Sequence, residues 1–222
     1  MLNIAIDGPA GAGKSTIAKA VARELNCIYV DTGAMYRAVG LFATQRGIAP
    51  EEKEKLIPLL SQIKLELFYQ DGGQHIRLNG QDVSQEIRTP DMGMLASTFS
   101  AMPQVRAHLL DLQRDMARQH NVVMDGRDIG TVILPDANVK IFLTATAEER
   151  ARRRYAEYLE KGEAITYDEV LQGIKERDYA DETKAISPLV QAADAILVDT
   201  TNYTLEEAIA AIQKIVKERE AT

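Results

Sequence analysis

The chain has 222 residues, a length that fits one α/β domain with an insertion. Its formal net charge is −7, and Cys27 is its single cysteine. The acidic balance argues against a basic surface that binds a polynucleotide, and one cysteine excludes an intramolecular disulfide. Since no basic leader with an apolar run and no stretch of membrane-spanning length is present, we expect a cytoplasmic protein without a membrane or nucleic-acid partner.

The first predicted strand, at 4–6, runs into a glycine-rich turn and then a helix over about 14–25. The pattern GxxxxGK[ST] spans Gly8 to Ser15. Such a turn points successive backbone N–H groups into one concavity at the positive end of the helix dipole, where a β-phosphate binds. Lys14 can reach the β- and γ-phosphates, and the Ser15 hydroxyl is placed to ligate Mg²⁺. The predicted ATP-binding residues are Gly8, Pro9, Ala10, Gly11, Ala12, Gly13, Lys14, Ser15 and Thr16.

A strand at 28–30 completes a βαβ unit, which predicts parallel strands. The next helix begins near Asp31, and we interpret Thr32 as an N-cap whose hydroxyl can also face a ligand. Arg37 lies one turn into that helix. Because ligands bind at the carboxyl ends of parallel strands, we interpret Arg37 as a phosphate contact on a second substrate; the alternative is a solvated helix arginine.

After residue 61, the spacing of the apolar residues changes from that of a helix to that of a strand. Residues 64–69 and 75–78 alternate apolar and polar side chains around a glycine turn at 71–73, which predicts an antiparallel insertion over 62–90. Helical segments follow as far as 119 and contain Ser97 and Arg106, whose pattern by itself indicates only a polar helix surface.

A third core strand at 122–124 ends in Asp125, at the position where a P-loop protein orients Mg²⁺ or its waters. Arg127 and Asp128 follow directly. A solvated turn would explain the neighbouring glycines but not three charged residues at one strand end, so we predict a functional site there.

A fourth strand at 139–143 precedes a capping-box sequence at 146–149 and a helix rich in arginine. Like charges on one helix repel by a few tenths of a kcal/mol per pair, so this cluster needs anions or carboxylates nearby. Phosphate binding and a surface of salt bridges with Glu148, Glu149 and Glu157 both remain open. The cluster consists of Arg150, Arg152, Arg153 and Arg154.

A second capping box opens at Thr166, a glycine hinge precedes it, and a fifth strand at 195–198 leads into a final amphipathic helix. The predicted fold is therefore a three-layer α/β domain built on a P-loop, with a five-stranded parallel sheet, an antiparallel β insertion and a helical lid. We predict one domain over 1–222. Its core covers 1–60, 91–150 and 185–222, its insertion 62–90, and its arginine-bearing lid 150–178.

Four segments together resemble the bacterial cytidylate kinase family of nucleoside monophosphate kinases. They are IDGPAGAGK at 6–14, DTGAMYR at 31–37, DGRDIGT at 125–131 and KERD at 175–178. The resemblance covers essentially the whole chain, including the insertion. It implies a P-loop kinase fold and a single nucleotide kinase domain. It also implies that ATP, with Mg²⁺, donates its γ-phosphoryl group to CMP or dCMP to give ADP and CDP or dCDP, and it suggests a monomer.

The resemblance also implies roles for single residues. It implies contacts to the acceptor phosphate from Arg37 and Arg127, and contacts to cytosine from Ser97, Arg106 and Asp128. It also implies contacts from Arg177 and Asp181 on the sugar side of the acceptor nucleotide. Lys184 stands where the family usually has an arginine, and a lysine keeps the charge but loses the bidentate fork.

The predicted chemistry is direct, in-line phosphoryl transfer. A phosphate acceptor is already an anionic nucleophile, so no general base is required. The predicted catalytic residues, which offset the charge of two polyanions, are Lys14, Arg127, Arg150 and Arg153.

Two other functions are weighed against this one. A P-loop kinase for UMP or for a metabolite hydroxyl is the first alternative; a metabolite kinase should show an aspartate base and lack the insertion. A non-enzymatic nucleotide switch would carry NKxD, yet no asparagine in the chain is followed by lysine.

Overall fold

The computed structural model describes residues 1–70 and 73–220. The strands are β1 (Asn3–Asp7), β2 (Ile28–Asp31), β3 (Leu65–Gln70), β4 (Gly73–Leu78), β5 (Gln81–Asp82), β6 (Val122–Gly126), β7 (Val139–Thr144) and β8 (Ile196–Asp199). The α-helices are α1 (Lys14–Glu24), α2 (Thr32–Gln45), α3 (Pro90–Ser100), α4 (Pro103–Gln119), α5 (Ala147–Glu160), α6 (Tyr167–Thr183) and α7 (Leu205–Glu220). Two 3₁₀ segments cover Pro50–Gln62 and Glu86–Arg88, and a π-helical turn covers Ile129–Ile133.

The main sheet has five strands in the order β2-β6-β1-β7-β8. The central strand, β1, pairs in parallel with β6 and with β7. Ile4 and Ile6 of β1 are fully buried, at 0 % exposure. A continuous apolar run is what a strand covered on both faces of a parallel sheet requires. The predicted five-stranded parallel sheet is confirmed.

A separate antiparallel sheet contains β3, β4 and β5. β3 and β4 pair in a register that places Phe68 opposite His75. This sheet confirms the antiparallel insertion inferred from the alternating residues. Asp71 and Gly72, two residues of the predicted turn between β3 and β4, lie outside the described residues.

The chain divides into two compact units, Met1–Tyr29 with Gln119–Thr222 and Val30–Arg118. In the first, α1 and α7 pack on β1 and its neighbours through buried Ile17, Val21 and Ile212. In the second, the largest buried side chains include Phe42 and Phe99. The boundaries predicted above for core, insertion and lid stay predictions.

Helix starts follow the capping residues of the sequence. Thr166 and Glu169 form the complete capping box that opens α6, since each side chain bonds the other residue's backbone N–H. At α5 only half of the predicted box forms: Thr146 Oγ1 accepts from the Glu149 N–H, whereas the Thr146 N–H donates to Thr201 Oγ1. The carboxylate of Glu149 is engaged elsewhere.

α5 and α6 pack on each other as a helical pair. Ala151, Val170 and Ile174 form their buried contact, and Gly162 between them adopts φ +73°. Across 1–70 and 73–220, we find no helix with both the length and the apolar character that crossing a membrane demands.

Candidate active site

The glycine-rich loop of the sequence motif joins β1 to α1. Gly8 has φ +150°, and a Cβ there would lie 1.9 Å from the Leu143 carbonyl oxygen of the neighbouring strand, so only glycine fits. Gly13, at φ 84°, is the N-cap of α1 and offers no side-chain acceptor to it. A helix N-terminus reached through a glycine loop is suited to bind phosphate.

Lys14 lies at the start of α1 and is 6 % exposed. Its Nζ donates to the Pro9 carbonyl oxygen at 2.7 Å, inside the same loop. Burial, reinforced by the nearby Arg127 charge, lowers the Lys14 pKa well below its usual value, while Asp125 and Asp7 oppose that shift. An anion arriving in the loop would stabilise the charged form of this lysine.

Ser15 and Asp125, the two predicted metal ligands, are in contact. Ser15 Oγ donates to Asp125 Oδ2 at 2.8 Å, and Tyr29 Oη donates to Asp125 Oδ1 at 2.8 Å. Mg²⁺ prefers oxygen donors and is usually held by one or two protein groups together with substrate phosphates. A hydroxyl and a carboxylate side by side fit that preference. Within the described parts of the chain, no group of three or more His, Cys, Asp or Glu residues forms a metal cluster.

Asp7 ends β1 beside this pair. Its carboxylate accepts from the backbone N–H groups of Ile129 and Gly130, at 2.7 and 2.8 Å. Burial raises the pKa of Asp7 to about 6, although the two backbone bonds and Lys14 act in the opposite direction.

Arg127, Asp181 and Lys184 form one charged cluster. Arg127 Nε donates to Asp181 Oδ2 at 2.7 Å, and Lys184 Nζ lies 3.8 Å from Asp181 Oδ1. Burial acts to raise the pKa of Asp181, but the cationic neighbours, chiefly Arg127, outweigh it and hold the pKa below its ordinary value. Arg177 also lowers that pKa, so the structure brings four of the predicted substrate residues together.

Arg150 is buried and engaged by three protein groups. Its Nε donates to the Ala145 carbonyl oxygen at 2.8 Å, and Nη1 donates to the Ala10 carbonyl oxygen of the glycine loop at 2.9 Å. The guanidinium also forms a bidentate pair with Asp178 of α6, at 2.9 and 2.6 Å. Arg150 therefore joins α5, α6 and the loop.

The next arginines of α5 are satisfied largely by Glu149. Its carboxylate accepts from Arg152 at two positions and from Arg153 Nε, all at 2.7 Å. Arg153 Nη2 donates to the Thr200 carbonyl oxygen. The bond to Arg152, followed by the one to Arg153, lowers the pKa of Glu149 to about 2. Between the two interpretations left open by the sequence, these contacts favour salt bridges for Arg152 and Arg153.

In the second unit, the start of α2 carries the predicted phosphate contact. Asp31 is the N-cap, because its Oδ1 accepts from the Ala34 N–H, and its Oδ2 pairs with Arg37 Nη2 at 2.9 Å. The interpretation of Thr32 as the N-cap is wrong: Thr32 is the first helical residue and is buried. Gln74 of β4 accepts from the Asp31 N–H at 2.9 Å, so the inserted sheet contacts the residue that orients Arg37.

The two predicted cytosine contacts on α3 and α4 differ in environment. Ser97 is exposed on α3. Arg106 on α4 is half-buried, with its guanidinium over the Tyr36 ring at 5.8 Å and Nη1 3.4 Å from the Ser100 carbonyl oxygen. Asp128, the third predicted cytosine contact, belongs to the first unit and is 4 % exposed.

Several residues that touch these groups are absent from the predicted site, among them Asp7, Tyr29, Asp31, Glu149 and Asp178. Asp7 had a usable signal, since it ends β1 as Asp125 ends β6. Asp178 ends the KERD segment of the resemblance, but nothing in the sequence paired it with Arg150. Tyr29 had no signal, because its partner Asp125 lies far away in the sequence.

The chain is similar to known proteins in sequence and in fold. A family model described as cytidylate kinase matches residues 4–218. The chain is 50 % identical to a cytidylate kinase of Caldicellulosiruptor saccharolyticus over 94 % of its length and 92 % of the relative. It is also 50 % identical to one of Carboxydothermus hydrogenoformans over 97 % of both chains, and 48 % identical to one of Clostridium tetani over 96 % and 93 %. Among solved structures, an uncharacterized protein from Eubacterium ventriosum has a similar fold, with a TM-score of 0.52, 13 % identity and 98 % coverage of both chains.

Proposed function

The chain belongs to the cytidylate kinase family, and we propose that it transfers the γ-phosphoryl group of ATP directly to CMP or dCMP, giving ADP and CDP or dCDP. The observation that carries this proposal is the grouping of Lys14, Ser15 and Asp125 at the glycine loop, in a chain matched by the family along nearly its whole length.

On the donor side, the loop from Gly8 to Thr16 would bind the ATP phosphates through backbone N–H groups and the dipole of α1. Lys14, held inside the loop by Pro9, would place its charge against the β- and γ-phosphates. Its depressed pKa would rise when those anions enter, because opposite charges favour the ammonium form.

Ser15 and Asp125 would hold Mg²⁺, directly or through its waters, since they present adjacent oxygens. When bound, the metal supplies positive charge that neutralises the phosphate oxygens. Tyr29, by donating to Asp125, would keep the second carboxylate oxygen oriented.

On the acceptor side, Arg127 in the first unit and Arg37 in the second are proposed to bind the CMP phosphate. Asp181 and Asp31, which fix these two arginines by ion pairs, would hold their guanidinium groups in place. Ser97, Arg106 and Asp128 are proposed to bind cytosine. The proposed sugar-side contacts are Arg177 and Asp181. Lys184 is proposed to contact phosphate, and Thr32 to present its hydroxyl to the substrate.

Bringing two polyanions together is the main difficulty of the reaction. At roughly 4 Å, like charges repel by about 1 kcal/mol in bulk water and by about 4 kcal/mol where the effective dielectric is about 20. Lys14 and Arg127 would offset this repulsion and stabilise the transferring group. Arg150 and Arg153 would add to this only by exchanging carboxylate partners for phosphate oxygens, as both are bound to acidic residues.

The proposal is tested by measuring ADP release with Mg²⁺ and ATP against CMP, dCMP, UMP, AMP, GMP and shikimate at equal concentration. We expect turnover concentrated on CMP and dCMP. Turnover with UMP or another monophosphate would keep the chemistry but reject the assigned base contacts. Turnover with shikimate alone would reject the proposal in favour of a metabolite kinase.

The same proposal includes a monomer that acts in the cytoplasm on small nucleotides. Sedimentation equilibrium of the purified chain, with and without ATP and CMP, tests the monomer; a stable dimer would contradict it.

A further inference from the structure

Asp7 is a buried acid that the proposed reaction does not use. It is 5 % exposed, and both of its carboxylate oxygens accept backbone N–H bonds, from Ile129 and Gly130. Such charge-assisted bonds to a carboxylate are short and strong. The acid therefore binds the chain immediately after Asp128.

The same residue also holds the chain immediately before Arg127. In the ladder between β1 and β6, Asp7 is the register partner of Gly126. Arg127 and Asp128 are the two residues between these attachments. Both ends of this short segment are consequently fixed to Asp7, one through the sheet and one through its side chain.

Burying the carboxylate of Asp7 costs desolvation free energy. Burial raises the pKa of Asp7, Asp128 adds to that effect, and Lys14 opposes it. The aliphatic chain of Lys140 packs nearby, since a Cβ on Gly130 would meet Lys140 Cδ at 3.2 Å and Asp7 Oδ2 at 3.4 Å. If packing alone mattered, an apolar side chain would avoid the desolvation of a carboxylate.

We propose that Asp7 is a positioning residue for the acceptor nucleotide: its carboxylate fixes the segment that presents Arg127 and Asp128. This inference rests on the proposed contacts of those two residues with CMP. It assigns no contact between Asp7 and either substrate.

The test replaces Asp7 with asparagine, which keeps the size but turns one acceptor into an N–H donor facing a backbone N–H. We expect the KM for CMP to rise at least about fivefold, with the KM for ATP changed by less than about twofold. The preference for CMP over UMP in kcat/KM should fall as well. Asp136→Asn removes the same charge from an exposed site just beyond the turn and should leave all three quantities unchanged.

If Asp7→Asn does not fold, a second variant, Gly130→Ala, tests the same proposal. Gly130 does not adopt a left-handed φ, so alanine is compatible with its backbone. The added Cβ would lie 3.2 Å from Lys140 Cδ, closer than an ordinary contact, and 3.4 Å from Asp7 Oδ2, so the segment has to shift away from both. This variant keeps every charge and should raise the KM for CMP by about two- to fivefold through displacement of the segment.

An unchanged KM for CMP in the folded variants would overturn the positioning role. So would an equal or larger rise in the KM for ATP, since Asp7 would then act through Lys14 and the glycine loop. The wild-type assay separates this result from failure of the proposed function: a wild-type chain without CMP turnover rejects the function itself, whereas normal wild-type turnover with unaffected variants rejects only the role of Asp7.

Discussion

The pair between Arg150 and Asp178 gives the most direct energetic prediction. The change is Asp178→Asn, which keeps the side-chain size and removes the charge that faces a buried guanidinium. Arg150 is 5 % exposed and Asp178 17 % exposed at the side chain, and the two are bonded at 2.6 and 2.9 Å. The variant therefore leaves a cation buried without its counter-ion.

Removing one partner from a buried ion pair destabilises proteins by about 3 to 5 kcal/mol. We expect the lower end, about 3 kcal/mol, because Arg150 keeps its bonds to the Ala145 and Ala10 carbonyl oxygens. With an m-value of about 2 kcal/mol/M in urea, the unfolding midpoint should fall by about 1.5 M.

The assay is urea unfolding followed by far-ultraviolet circular dichroism, with Arg150→Gln and the double variant completing a mutant cycle. We expect a coupling energy on the order of 2 kcal/mol. Glu182→Gln is the matched control, since it removes one exposed carboxylate from the same helix and should shift the midpoint little. A coupling energy below about 0.5 kcal/mol would refute the claim that this bridge joins the two helices.

Four shorter predictions concern the proposed site. Lys14→Met should lower kcat by about 10²- to 10³-fold with an unchanged thermal midpoint, and near-normal turnover would reject the role of the glycine loop. Asp128→Ala should lower the CMP-to-UMP ratio of kcat/KM by about tenfold or more, measured by the same ADP-release assay; a constant ratio would assign base recognition elsewhere. Lys184→Arg should maintain or improve the use of CMP, and a strong loss in kcat/KM would show a pocket adapted to lysine. Because the pKa of Asp7 is raised from 3.8 to about 6, the folded state binds its proton more tightly, so the free energy of unfolding of the wild type should rise relative to that of Asp7→Asn by about 2 kcal/mol as pH falls from 7 to 4; a difference between the two proteins that stays constant with pH in urea unfolding would contradict this.

Elements that depend on neighbouring residues were accessible from the sequence. The glycine loop and the capping box at Thr166 each occupy a few consecutive positions, and the structure forms them where the pattern predicts. The continuous apolar run of β1 predicts a strand buried on both faces, and the alternation of apolar and polar residues in β3 and β4 predicts strands buried on one face.

Contacts that depend on competition between several possible partners could not be predicted from the sequence. Thr146 and Glu149 satisfy the capping-box pattern, yet the Glu149 carboxylate binds Arg152 and Arg153 instead, because charged donors make the stronger bonds. Thr32 and Asp31 are both able to cap α2, and Asp31 does so while it also pairs with Arg37.

The sequence by itself determined the parallel α/β fold through its periodicity, and the family through the resemblance of four short segments. It also predicted the residues proposed to bind phosphate. Only the tertiary structure decided which acids bind partners that are distant in the sequence. Arg150 and Asp178 are 28 residues apart, Arg127 and Asp181 are 54 apart, and Asp7 and Ile129 are 122 apart. No local pattern relates such positions, because their contact arises only when the parallel strands set their ends side by side and the helices pack beside them.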